Sequence, residues 1–161
     1  MAEYYHYTGY PQFVQIIEWE SLLSENALLA KLMAREQGLS YNDALSELIE
    51  ADRQLSAMGP NFEDEAARKN HVFLSKSLDL VCHDGVSGDA YKRGNMVVTG
   101  FDCPQSLLTE IGGDTVTTIE LGLEYLTKVY SQPNAMAQVR ELLRTEHNGK
   151  YAGIPVTPWL K

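Results

Sequence analysis

Cationic residues are scarce in this chain. Its 13 Lys and Arg face 22 Asp and Glu, for a formal net charge of −9 at pH 7. Affinity for nucleic acid comes from cations that neutralise phosphates, so gripping a phosphate backbone is not the main task of such a chain. The balance suits a small-molecule pocket or a basic protein partner. Mimicry of nucleic acid would need dense carboxylates on one face, whereas these acids are scattered over helices. Cysteine is as sparse. Cys82 and Cys103 stand 21 residues apart with no Cys-x-x-Cys, which argues against a metal knuckle and for reduced, partly buried thiols. His6, His71, His83 and His147 show neither His-x-x-x-His nor His-x-x-Glu-His spacing, so a metal site has little support. No Gly-x-Ser-x-Gly elbow and no phosphate-binding loop ending in Lys-Ser or Lys-Thr occurs. Cys82 and His83 are sequence neighbours, which does not set a base against a thiolate. No run approaches the length of a membrane-spanning helix. No basic segment precedes an apolar stretch near the first residue. The expectation is a cytoplasmic protein without a membrane span.

What is present reads as one domain over residues 1–161, long enough to bury a core. Hydrophobic content of 44% and charged content of 22% are ordinary for a globular chain. Tyr4-Tyr5-His6-Tyr7-Thr8 is short, aromatic and β-prone, with one histidine at its centre. Pro11 suits the first turn of the helix that follows, and Phe13, Val14, Ile16 and Ile17 repeat at helical spacing to about Trp19 or Ser21. A second helix fits 25–37, capped by Ser24 and stopped at Gly38. A third opens at Ser40 and ends at Gly59-Pro60. This pair makes a helical insertion over 24–58. The polar stretch 61–70 reads as a short solvated helix, acidic in front and basic behind.

His71-Val72-Phe73-Leu74-Ser75 is a second strand, running into Lys76-Ser77-Leu78-Asp79. A loop is expected over 84–94, then a strand over 95–102. A short helix is expected over 103–110 and a β-branched strand over 115–119. After Ile119 the spacing favours a helix, although Leu121, Leu123 and Tyr125 also alternate as in a strand. Pro133 to Glu146 forms a clean helix. In the extended tail, Trp159 and Leu160 are expected to dock in a groove, since an exposed Trp-Leu end invites association.

The His-Tyr-Thr strand followed by a helix resembles the opening of ADP-ribosyltransferase-like domains, especially bacterial and phage families. Phe73-Leu74-Ser75-x-Ser77 is similar to that family's second motif, and Tyr91 in a loop before an apolar strand is similar to its His-Tyr-Glu branch. The resemblance implies an α+β fold with a small split antiparallel sheet and an inserted helical hairpin. It implies NAD as substrate, with ADP-ribose passed to a protein or nucleic-acid acceptor by a phage or toxin-type effector. By the same resemblance His6 holds the ribose, and Tyr7 and Thr8 line the nicotinamide pocket. Ser75 and Ser77 shape its floor, and Tyr91 stacks on nicotinamide. Lys92 and Arg93 are candidates for the pyrophosphate, with a solvated face as the alternative. Glu120 is the best-placed catalytic carboxylate by context, although no stretch matches the family's glutamate strand. Gln138-Val139-Arg140-Glu141 carries glutamine where the late motif has its first carboxylate. A second expectation therefore stands beside the first: a non-enzymatic acidic interaction protein, binding a partner through its helical hairpin, on a degenerate transferase fold or an unrelated one.

Overall fold

Strand β1, Ala2–Gly9, lies at the centre of a seven-stranded sheet. The computed structural model describes residues 2–59, 69–86 and 88–159. These fall into two compact units. The first holds residues 1–21, 73–116 and 122–161; the second holds 22–72 and 117–121.

In the first unit β1 pairs antiparallel along its whole length with β4, Met96–Cys103, with His6 opposite Thr99. On its other side it pairs antiparallel with β3, Val72–Ser75, with Tyr5 opposite Ser75. Beyond β4 lie β8, Leu126–Ser131, and β9, Val156–Pro158; the β8–β9 pair is parallel. The sheet is therefore mixed rather than wholly antiparallel. The chain crosses between β8 and β9 through helix α6, Pro133–Thr145, and a parallel neighbour needs such a crossover. At the other edge β5, Thr109–Gly112, and β6, Thr115–Thr118, form a hairpin turning at Gly113-Asp114.

Successive strand residues face opposite sides. Tyr5, Met96 and Val98 meet Val81 and Cys82 of helix α4, Leu78–Gly85, together with Trp159. The alternate residues Tyr4, Val97 and Phe101 are buried on the other face. Helix α1, Tyr10–Trp19, and α6 pack on each other and on the sheet, α1 on β1 and β4, α6 on β8 and β9. Burial on both faces explains why β4 reads as a nearly continuous apolar run. Cys82 and Cys103 are free and buried, and burial pushes the Cys103 thiol above its ordinary value.

The second unit holds the helical hairpin α2, Glu25–Gln37, and α3, Tyr41–Ser56. The Ser24 hydroxyl accepts from the Ala27 N–H at 3.2 Å, and the Ser40 hydroxyl accepts from the Asp43 N–H at 3.4 Å. Strands β2, Ser21–Leu23, and β7, Glu120–Gly122, make a two-stranded sheet beside it.

Four further expectations are corrected. Residues 103–110 are not a helix: Cys103 ends β4, a 3-10 turn spans Gln105–Leu107, and β5 follows. Residues 120–131 are two strands around a 3-10 turn at Leu123–Tyr125, because this stretch supplies a partner for β4. The stretch read as a loop over 84–94 holds the end of α4 and a one-turn helix α5, Asp89–Lys92. Helix α3 ends at Ser56, short of Gly59-Pro60. Of the expected polar helix, residues 61–68 lie outside the described residues, as does Leu160. Trp159 is buried, as its sequence context implies.

Candidate functional site

A cleft of ≈ 370 Å³ opens in the first unit where β1 runs out into α1. Tyr7, Thr8 and Gly9 form one wall, and Gln12 of α1 adds to it. Asp89, Arg93 and Asn95 form a second stretch of its wall. The backbone clamps this second stretch. Asn95 donates its N–H to the Ala90 carbonyl at 2.9 Å and accepts from the Tyr10 N–H at 3.0 Å. Gly94 makes the turn between them at φ +76, where a side chain would also come within 2.6 Å of the Asn134 amide nitrogen. Only glycine meets both demands.

His6 stands just before this cleft. It is half-buried, and its Nδ1 donates to the Phe73 carbonyl oxygen at 3.0 Å. Burial pushes its imidazole below the ordinary value, opposed by that hydrogen bond. The ring lies nearly parallel to that of Tyr7, with centroids 6.4 Å apart. Tyr7 is exposed at the cleft mouth.

The structure brings some of the expected site residues together. His6, Tyr7 and Thr8 follow one another along β1, and Ser75 sits across from Tyr5 on the neighbouring strand. The serine hydroxyls have local work. Ser75 Oγ accepts from the Ser77 N–H at 3.0 Å, and Ser77 Oγ caps α4 by accepting from the Leu80 N–H at 3.3 Å. Tyr91 does not line the cleft; its ring meets Trp159 edge-on, with centroids 5.4 Å apart. Glu120 lies in the second unit, 3.7 Å from Lys31 Nζ, and accepts from the Tyr41 hydroxyl at 3.3 Å. Burial, then the Glu120 charge, push the Tyr41 hydroxyl up to about 12. Gln138 and Glu141 border a separate dent on α6, with Tyr10 and Leu142.

Reasoning from the sequence missed Gln12, Asp89 and Asn95. Gln12 and Asp89 sit in stretches of ordinary polar composition, and Asn95 reads simply as the first residue of a strand. It also missed a polar cluster at the end of α1. There Glu20 accepts from Lys150 Nζ at 2.8 Å and from the Tyr151 hydroxyl at 2.6 Å, while His147 Nε2 donates to the Ile17 carbonyl at 2.7 Å. The Lys150 and Tyr151 hydrogen bonds hold the Glu20 carboxyl below its usual range. Glu20 and His147 both adopt φ of 52, and Asn148 φ of 57.

Fold and site together define an α+β protein with a cleft of mixed polar and apolar lining at the end of its central strand. No protein-family model matches the chain, and no curated protein is significantly similar to it. Among the described residues no helix is long and apolar enough to cross a membrane, and no group of three or more His, Cys, Asp and Glu could hold a metal ion.

Proposed function

We propose that this is an ADP-ribosyltransferase-like protein that takes NAD along β1 and into the cleft where that strand ends. The observation that carries this reading is the state of His6. Its Nδ1–H is spent on the Phe73 carbonyl, and burial favours the neutral ring. In that tautomer Nε2 is an acceptor, suited to a ribose hydroxyl. The adjacent Tyr7 ring offers a planar surface, and Arg93 in the cleft wall has no ion pair among the described residues. A diphosphate would supply one. Such a mixture of one cation, several acceptors and an aromatic wall suits a dinucleotide better than an apolar ligand.

Glycosidic cleavage of NAD also needs a carboxylate beside the ribose, to stabilise positive charge that develops on the sugar. Glu120, the carboxylate that sequence context offers for that role, lies in the second unit, where Lys31 and Tyr41 engage it. That engagement supports a second reading, in which NAD is bound but not turned over. Calorimetry with NAD on the wild type and His6→Ala, with nicotinamide release followed in the same samples, separates them. Binding lost in His6→Ala and release from the wild type are expected of a transferase. Binding without release leaves the binding module. Absence of binding at millimolar NAD overturns both, and pull-down of a protein partner becomes the next test.

A further inference from the structure

Asn95 has both backbone groups satisfied, yet its amide oxygen is buried without a hydrogen-bond partner. Buried polar atoms are almost always paired, so an orphan in a cleft wall marks a place where a ligand donor belongs. A second acceptor stands beside it. A methyl group built on Gly9 would lie 2.8 Å from the Gln12 amide oxygen and 3.7 Å from that of Asn95. The two amide oxygens therefore lie close together beside one glycine, and the Gln12 amide occupies the space that a side chain there would need. Gln12 makes no side-chain hydrogen bond among the described residues. Asp89 adds a carboxylate to the same cleft, and Arg93 its cation.

Neighbouring acceptors call for a ligand with closely spaced donors. A vicinal diol has that character, and an anionic group next to it would meet Arg93. We infer that Asn95 and Gln12 form a ribose-diol subsite for a nucleoside diphosphate, with Arg93 on the diphosphate and Asp89 as a further acceptor. This rests on the NAD reading and divides that ligand. His6 serves the nicotinamide ribose, and the cleft takes the adenosine diphosphate half.

The test is calorimetry with ADP, 2′-deoxy-ADP and NAD on the wild type, Asn95→Ala and His6→Ala. Loss of one ligand hydrogen bond to a buried acceptor weakens binding about tenfold. The expected result is ADP binding that falls by that factor for 2′-deoxy-ADP and in Asn95→Ala, but is unchanged in His6→Ala. Asn95→Ala removes an unpaired atom, so its melting temperature without ligand should equal or exceed the wild type's, which separates lost recognition from lost folding. Equal ADP affinity in the wild type and Asn95→Ala overturns the subsite. So does NAD binding without ADP binding, and there the NAD reading survives. ADP binding with the expected discrimination but no NAD binding keeps the subsite and removes the NAD reading. Failure of both ligands to bind overturns both.

Discussion

The Phe73 carbonyl oxygen accepts a hydrogen bond from His6 Nδ1 at 3.0 Å, which ties the histidine of the first strand to the strand that carries Ser75. Burial pushes the imidazole below its ordinary value, against the Phe73 hydrogen bond, and that shift has a pH signature. The folded pKa lies below the ordinary value of 6.5. As pH falls past that ordinary value, the unfolded chain takes up a proton that the folded chain still refuses. Stability contributed by the neutral ring is thus present above about pH 6.5 and lost as pH falls through the lower folded value. Melting temperatures of the wild type and His6→Gln between pH 8 and pH 5 should converge toward acid. Parallel curves would show that His6 does not titrate differently on folding.

Tyr91 and Trp159 give a second prediction, about packing rather than ligand. The tyrosine ring meets the indole edge-on beside Tyr5, Val81 and Cys82. Trp159→Ala should cost about 3–5 kcal/mol in denaturant unfolding, the usual range for emptying a large aromatic site. Tyr91→Leu keeps apolar bulk but loses the ring pair, worth about 0.5–1.5 kcal/mol beyond area. If Tyr91 instead stacks on a ligand, Tyr91→Leu would leave stability unchanged and weaken NAD binding.

Much of the architecture is legible in the chain because local chemistry and tertiary structure agree. Ser24 and Ser40 announce helices that their hydroxyls do cap, and the apolar run at 96–101 marks a strand buried on both faces. Elsewhere the deciding partner is distant. Leu123, Leu126 and Tyr130 fit helical spacing, but the open side of β4 draws this stretch into the sheet. All four residues of β5 are exposed, so no alternation distinguishes it. Helix α4 is short and full of weak formers, and it exists because Val81 and Cys82 pack on Tyr5 and Met96. At the cleft, Tyr7 and Thr8 stand out by their neighbourhood to His6. The unpaired oxygen of Asn95 does not, since only the folded chain shows that nothing reaches it.

The bend after α6 carries stored strain. Asn148 is exposed at φ 57, a region that asparagine tolerates and β-branched residues do not. Asn148→Val should destabilise the protein by about 1–2 kcal/mol, whereas Asn148→Gly should cost nothing or stabilise slightly. The side chain makes no buried contact, so chemical denaturation of the pair reads backbone strain directly. Equal loss in both variants would mean that the Asn148 side chain, not its backbone, holds the bend.

Glu20 and Tyr151 link the end of α1 to the segment after α6, and each shifts the other. The Glu20 carboxyl sits below its ordinary value of 4.5, first through the Lys150 hydrogen bond and then through that of Tyr151. The stability it contributes is present above that value and lost as pH falls through the lower folded one. The Tyr151 hydroxyl is raised above 10.0, first by burial and then by its bond to Glu20. Its contribution is complete below pH 10.0 and lost as pH rises through the higher folded value. Tyr151→Phe should therefore reduce the melting temperature most between these limits and flatten the alkaline side of the stability curve. It should leave part of the acid side, because Lys150 still holds the carboxylate. Glu20→Gln should remove the acid side altogether and shrink the alkaline one. Its backbone at φ 52 is as strained for glutamine as for glutamate, so that cost cancels in the comparison. Acid sensitivity unchanged in Glu20→Gln would show that this cluster packs the end of α1 without its charge mattering.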